Sequence, residues 1–150
     1  MIYTENTKKA LKLCFEAHKE QKDKSGLPYV FHPFHLAEQM EDEDTTITAL
    51  LHDVAEDTDV TLEDIAGMGF SQKVMEALAL LTHDDEAGPY MEYVKEIGKN
   101  PVARKVKLAD LRHNSDLSRL DADQINEKAL ARAKKYEEAI RLLEEREDLG

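Results

Sequence analysis

Apolar residues recur at helical spacing along nearly the whole of this chain, and no segment alternates apolar with polar as a half-buried strand does. Leu11, Cys14, Phe15 and His18 fall at i, i+3, i+4 and i+7, which predicts a first helix from about Thr4 to Glu20. Gly26 and Pro28 mark a loop, and Pro33 suits the first turn of a second helix running towards Met40. Asp44-Thr45-Thr46 is the expected cap of a third helix with Ile47, Leu50, Leu51 and Val54 on its buried stripe. Thr61 and Ser71 head two further helices, with Gly67 and Gly69 closing the first of them. Gly88-Pro89 opens another, and Gly98 to Pro101 separates it from a long one beginning near Val102. A last helix is predicted from about Asp123 to Glu147, with Ala129, Ala133, Tyr136, Ile140 and Leu143 inward. No repeat or low-complexity linker interrupts the pattern, so the expectation is an all-α chain with residues 1–150 forming one compact domain.

The 150 residues suffice to bury a core without staples. Cys14, the only cysteine, excludes an internal disulfide and fits a reducing, cytoplasmic setting. Its position on an apolar helical face makes it a small core residue. No apolar run approaches the ~20 residues that span a bilayer, and the N-terminus lacks a signal peptide's basic start and apolar stretch. The formal net charge of −12 argues against nucleic acid as a partner, since phosphate backbones are held by clustered Lys and Arg. A small anionic substrate requires a local basic patch or a metal to overcome that field. Nothing in the sequence specifies an oligomer.

The densest chemistry lies in His52-Asp53-Val54-Ala55-Glu56-Asp57-Thr58. At about 100° per residue, His52, Asp53, Glu56 and Asp57 would share an arc of roughly 140° on a continuous helix. Taken alone, the carboxylates read as a solvated acidic stripe. His32, in Phe31-His32-Pro33, and Asp110, in a helix whose Lys107, Asp110 and Asn114 share a face, change that reading. Two imidazoles and two carboxylates from three helices make an N/O ligand set suited to Mn²⁺, Fe²⁺ or Zn²⁺. A second pair, His83-Asp84, reads as a loop without chemistry. His18 reads as a core or supporting residue and His35 as a helix-surface residue. His113 is expected to face away from Asp110 and to hydrogen-bond within the bundle. Lys107 points either at phosphate or at solvent.

The order His…His-Asp…Asp resembles the HD superfamily of metal-dependent phosphohydrolases. The flanks Lys24-Ser25-Gly26-Leu27-Pro28-Tyr29-Val30-Phe31-His32-Pro33, Ala49 to Thr58 and Val106 to Asn114 resemble more narrowly the RelA/SpoT hydrolase domain, small stand-alone metazoan forms included. The likeness runs from the first helix to about Leu120. It implies an all-α domain with one Mn²⁺ held by His32, His52, Asp53 and Asp110. It implies also that Glu56 and Asp57 assist attack of an activated water on a 3′-diphosphate. Asn114 matches a family residue near the nucleotide, and Lys24 and Ser25 lie in the loop that lines its pocket.

The chain departs from the family at Asp23, where an Arg usually precedes the lysine and contacts guanine. A planar cation is exchanged for an anion, with Lys22 as partial compensation. Leu111-Arg112 inverts the usual Arg-Leu order, and Ser115-Asp116 replaces an apolar-basic pair. Hydrolysis of guanosine 3′,5′-bis(diphosphate) or a related nucleotide is the leading expectation. The alternatives are an HD phosphatase acting on a mononucleotide or phosphorylated dinucleotide, and a non-catalytic nucleotide sensor. No stretch resembles a synthetase or regulatory extension, so hydrolysis without synthesis is expected.

Overall fold

The computed structural model describes residues 1–82 and 88–149, with side chains described as far as Arg146. The pair His83-Asp84 lies outside the described residues. In chain order the helices are α1 (Glu5–His18), α2 (Phe31–Glu38), α3 (Glu43–Leu51), α4 (Val54–Asp57), α5 (Leu62–Ala66), α6 (Gln72–Leu81), α7 (Tyr90–Ile97), α8 (Pro101–Asn114) and α9 (Glu127–Leu149). Two single 3₁₀ turns, Leu117–Arg119 and Ala122–Gln124, join α8 to α9. The described residues contain no strand; a lone antiparallel bridge, Lys22 with Pro28, pins the base of one loop.

Helix α3 is the centre of the bundle and packs against α1, α2, α6 and α8. Thr45 to Leu51 are all buried, so the expected stripe of Ile47, Leu50 and Leu51 is part of a helix covered on every side. Its threonines are tolerated because each hydroxyl has a partner. Thr46 donates to the Asp42 carbonyl at 2.6 Å, Thr48 to the Asp44 carbonyl at 2.7 Å, and Thr45 to the Asp42 carboxylate at 2.7 Å. The cap is Asp42, two residues ahead of the expected one, because its carboxylate also accepts the Thr45 N–H at 2.8 Å.

The starts at Thr61 and Ser71 are as expected, whereas α8 begins at Pro101, inside the stretch read as a separator. Thr4 caps α1, Thr61 caps α5 and Ser71 caps α6, while Asn100 and Pro101 open α8. The buried face of α1 is Thr7, Ala10, Cys14 and His18; Phe15, expected on it, is 54% exposed because it lies a further 100° or so around the helix. The last helix starts at Glu127 rather than near Asp123. Gln124 closes a capped turn on Asp121, and the Asn126 side chain accepts the Ala129 N–H at 3.0 Å to begin the helix proper.

The largest departure lies at the segment of most interest. His52 through Asp57 do not continue α3: the helix stops at Leu51, and Asp53 turns the chain with φ −105° and ψ −1° before α4. His52 and Asp53 thus lie in the break between two helices, and Glu56 and Asp57 stand on the short turn that follows.

Candidate metal centre

Four elements converge at one point. His32 sits in the first turn of α2, where the Pro28 and Tyr29 carbonyls accept the Phe31 and His32 N–H groups and Pro33 needs no partner for its missing one. His52 ends α3, Asp53 precedes α4, and Asp110 projects from α8. One ligand atom from each of His32, His52, Asp53 and Asp110 lies within 4.8 Å of the others. His32 Nε2 is 2.9 Å from Asp110 Oδ1 and 3.9 Å from Asp53 Oδ2. His52 Nε2 is 2.9 Å from Asp53 Oδ2 and 3.5 Å from Asp110 Oδ1.

His52 carries the most telling detail. Its Nδ1 donates to the Ala49 carbonyl at 2.6 Å, which leaves Nε2 as the atom facing the cluster. That Nε2 is buried, and despite its short approaches it makes no hydrogen bond of proper geometry. An imidazole lone pair and carboxylate oxygens aimed at a common point are the donor set of an N/O cation site. In the absence of a cation the same groups draw a proton. Burial alone would lower the pKa of His52, but the Asp53 and Asp110 carboxylates outweigh it and raise the imidazole well above its ordinary range. Burial pushes Asp110 the other way, yet Lys107 and the two imidazoles hold it well below the usual carboxylate range.

A supporting layer fixes these groups. Lys107 Nζ lies 3.0 Å from Asp110 Oδ2, and Asn114 Nδ2 donates to Asp110 Oδ1 at 2.9 Å. The face shared by Lys107, Asp110 and Asn114 is therefore as the spacing predicts. Lys107 does not point to solvent: its side chain is 14% exposed, lies over the Tyr93 ring at 5.5 Å, and is held charged by Asp110 against the effect of burial. Tyr29, not singled out from sequence, donates its hydroxyl to Asp53 Oδ2. His113 corrects another expectation. At i+3 from Asp110 it stays on the cluster side of α8, and its Nδ1 is 2.7 Å from Nδ1 of His32. Burial and the Arg119 guanidinium push His113 down to about 4, so this ring is neutral near pH 7. His18 is fully buried beside Tyr29, and His35 lies exposed on α2 against His113, both as read from sequence. Cys14 is core, its thiol pushed up to about 12 by burial and Asp53.

Two cavities flank the cluster, and Tyr29, Asn114 and Tyr136 line both. The larger, about 320 Å³, is lined by His32, Lys22, Asp23, Lys24, Ser25, Arg119 and Arg132. This is the local basic patch that an acidic chain needs for an anionic ligand. The smaller, about 220 Å³, is lined by Asp53, Glu56, Asp57, Lys107 and Asp110. Asp57, exposed at its rim, is raised above the ordinary carboxylate range by partial loss of hydration and by Asp53. Lys24 and Ser25 thus border the larger cavity and Glu56 and Asp57 the smaller, with Asn114 between. Arg119 and Arg132 were not foreseen, because nothing local in the 3₁₀ turn or in α9 ties them to a loop roughly a hundred residues away.

That loop is stitched in place. Asp23 Oδ1 accepts the N–H groups of Ser25 and Leu27 at 2.9 and 3.0 Å, and Gly26 completes the turn at φ +82°. Ser25 Oγ donates to the Arg119 carbonyl at 2.8 Å, and the Gln124 amide donates to the Lys24 carbonyl. Arg119 Nη2 stands 3.8 Å from Asp23 Oδ2.

The family described as HD domain matches residues 10–88, a span that includes His32, His52 and Asp53. The chain belongs to the HD-domain family. Among curated relatives of this HD-domain protein, the guanosine-3′,5′-bis(diphosphate) 3′-pyrophosphohydrolase of Aquifex aeolicus is 34% identical over 119 residues, 72% of this chain and 17% of that one. The guanosine-3′,5′-bis(diphosphate) 3′-pyrophosphohydrolase MESH1 of Xenopus tropicalis is 37% identical over 124 residues, 73% of this chain and 68% of that one. The chain thus spans under a fifth of the first relative and about two thirds of the second. A solved metazoan orthologue of SpoT, described as hydrolysing ppGpp, superposes with a TM-score of 0.71 at 26% identity, covering 99% of this chain and 94% of that one. No helix among the described residues is long and apolar enough to cross a membrane.

Proposed function

We propose that this HD-domain protein is a metal-dependent pyrophosphohydrolase that removes the 3′-diphosphate from guanosine 3′,5′-bis(diphosphate) or a closely related nucleotide in the cytoplasm. The observation that carries this reading is the order of parts: a cationic cavity, then the His/Asp cluster, then a cavity lined by carboxylates. The names of the relatives support the substrate class.

The residues that would hold the ion are His32, His52, Asp53 and Asp110, and their N/O set favours Mn²⁺, with Fe²⁺ or Zn²⁺ as alternatives. A divalent ion bound there supplies positive charge that acidifies water and polarises a phosphoryl oxygen. Lys107 and Asn114 hold Asp110 in the direction it needs, as the Ala49 carbonyl does for His52. Lys24, Arg119 and Arg132 receive the nucleotide's phosphates, while Ser25 shapes the loop that carries Lys24. In the reaction a water oxygen bonds to the phosphorus on O3′ and the P–O3′ bond breaks. Asp57 takes the water's proton, a role to which its raised pKa is matched, and Glu56 orients the water beside it. Diphosphate leaves, and the proton passes to the O3′ oxygen.

Asp23 favours a second reading, hydrolysis of a different phosphorylated nucleotide. Its Oδ1 is spent on the loop's own N–H groups and Arg119 stands across from Oδ2, so no arginine stacks on a base from this position. A product-release assay with Mn²⁺ across 3′-diphosphorylated, mono- and dinucleotide substrates separates the two. Turnover confined to the 3′-diphosphates supports the first. Faster turnover of another nucleotide supports the second, and binding without turnover of any overturns both.

A further inference from the structure

The ring planes of His32 and His113 are 6° apart and their centroids 4.9 Å. Two such rings could lie face over face or edge to edge, and the Nδ1···Nδ1 separation of 2.7 Å decides between them. Extending that vector by a ring radius at each end already reaches the centroid separation, so the rings lie edge to edge, nearly in one plane. This is the geometry of an in-plane imidazole–imidazole hydrogen bond, with one nitrogen donating and the other accepting. The opposite nitrogen of His32, Nε2, faces Asp53 and Asp110. An imidazole that offers Nε2 as a ligand carries its proton on Nδ1, and Nδ1 of His113 must then be the acceptor.

We propose that His113 is the positioning residue that sets the tautomer and ring direction of His32, an inference that rests on the metal reading above. Its counterpart on His52 is the Ala49 carbonyl, a backbone acceptor that no side-chain substitution removes. His32 is supported instead by a replaceable side chain. One contact holds that side chain in turn, and another holds its backbone. The His35 ring packs on it with centroids 4.3 Å apart, and Arg119 Nη1 donates to the His113 carbonyl at 2.9 Å. His113 therefore lies between a residue lining the cationic cavity and a residue of the cluster.

The test uses the full chain with two substitutions. His113→Asn keeps an acceptor atom where Nδ1 stood, since Asn Oδ1 is equally far along its side chain. His113→Leu removes the acceptor and keeps apolar bulk. Mn²⁺ affinity is read from the electron paramagnetic resonance of the free ion, and the His32 tautomer from ¹⁵N imidazole spectra of the Zn²⁺-loaded protein. Wild-type protein is expected to show His32 protonated at Nδ1, with ¹⁵N–¹⁵N coupling across the bond to His113. His113→Leu is expected to weaken Mn²⁺ binding roughly 10- to 100-fold and to mix the His32 tautomers. His113→Asn is expected to restore both. The proposal is overturned by unchanged affinity and tautomer in His113→Leu, or by no coupling in wild type if that variant fails to fold. Wild-type protein that binds neither ion overturns the metal reading, and the tautomer assignment falls with it.

Discussion

His52 is the residue at which, in the proposed metal site, a proton and an ion would compete for one nitrogen. Its Nδ1 is committed to the Ala49 carbonyl, and its Nε2 meets Asp53 and Asp110. Replacing His52 by Ala is expected to abolish stoichiometric metal in protein purified without chelator, and equal metal content in mutant and wild type counts against the ligand assignment. The pH dependence has a definite sign. In chelator-treated protein the folded pKa of His52 is raised, so its contribution to stability is fully present below its ordinary value and lost as pH rises through the raised one. Thermal melts should show chelator-treated protein losing stability from neutral to alkaline pH; a melting temperature that climbs over that range contradicts the assignment. For catalysis, Asp57→Asn should lower kcat by on the order of 10²–10⁴ with little change in melting temperature, because Asp57 is exposed and not part of the core.

At the scale of elements, α3 and the break after it matter most. Asp42→Ala removes both an N–H and a hydroxyl partner from the start of α3 and should cost about 0.5–2 kcal/mol by denaturant titration. Burial works to raise Asp42, but the Thr45 hydrogen bonds win and lower it, so this stabilisation is lost as pH falls through the lowered value. Helical periodicity made α1, α5, α6, α7 and α8 legible, since each has a capping residue or a Pro/Gly signal at its start. The turn at His52-Asp53 has no such signal. Neither Gly nor Pro stands there, and Val54 continues the apolar spacing. At that break Asp53 accepts the Tyr29 hydroxyl from a loop two dozen residues upstream. A local pattern carries no record of that partner.

For the molecule as a whole, the decisive property is the segregation of charge. An acidic chain gathers Lys22, Lys24, Arg119 and Arg132, against Asp23 and Asp116, around one cavity, and Asp53, Glu56, Asp57 and Asp110, against Lys107, around the next. Arg132→Ala is expected to raise KM for a 3′-diphosphorylated nucleotide roughly tenfold, the effect of losing about 1.5 kcal/mol of a charged hydrogen bond, with kcat little changed. Steady-state kinetics at two ionic strengths check it: the mutant should also show a weaker salt dependence of kcat/KM, and an unaltered KM removes Arg132 from the binding surface.

By itself the sequence determined the helical class, the residues that meet at the cluster and the carboxylates beside it. These follow from periodicity and from residue types whose chemistry is the same wherever they fold. Tertiary structure alone decided which way each of them points. Asp53 met the Tyr29 hydroxyl, His113 turned towards His32, and two arginines from the chain's last third closed the cavity begun by the Lys22–Ser25 loop. Direction is set by partners remote in sequence, and only packing brings those partners together.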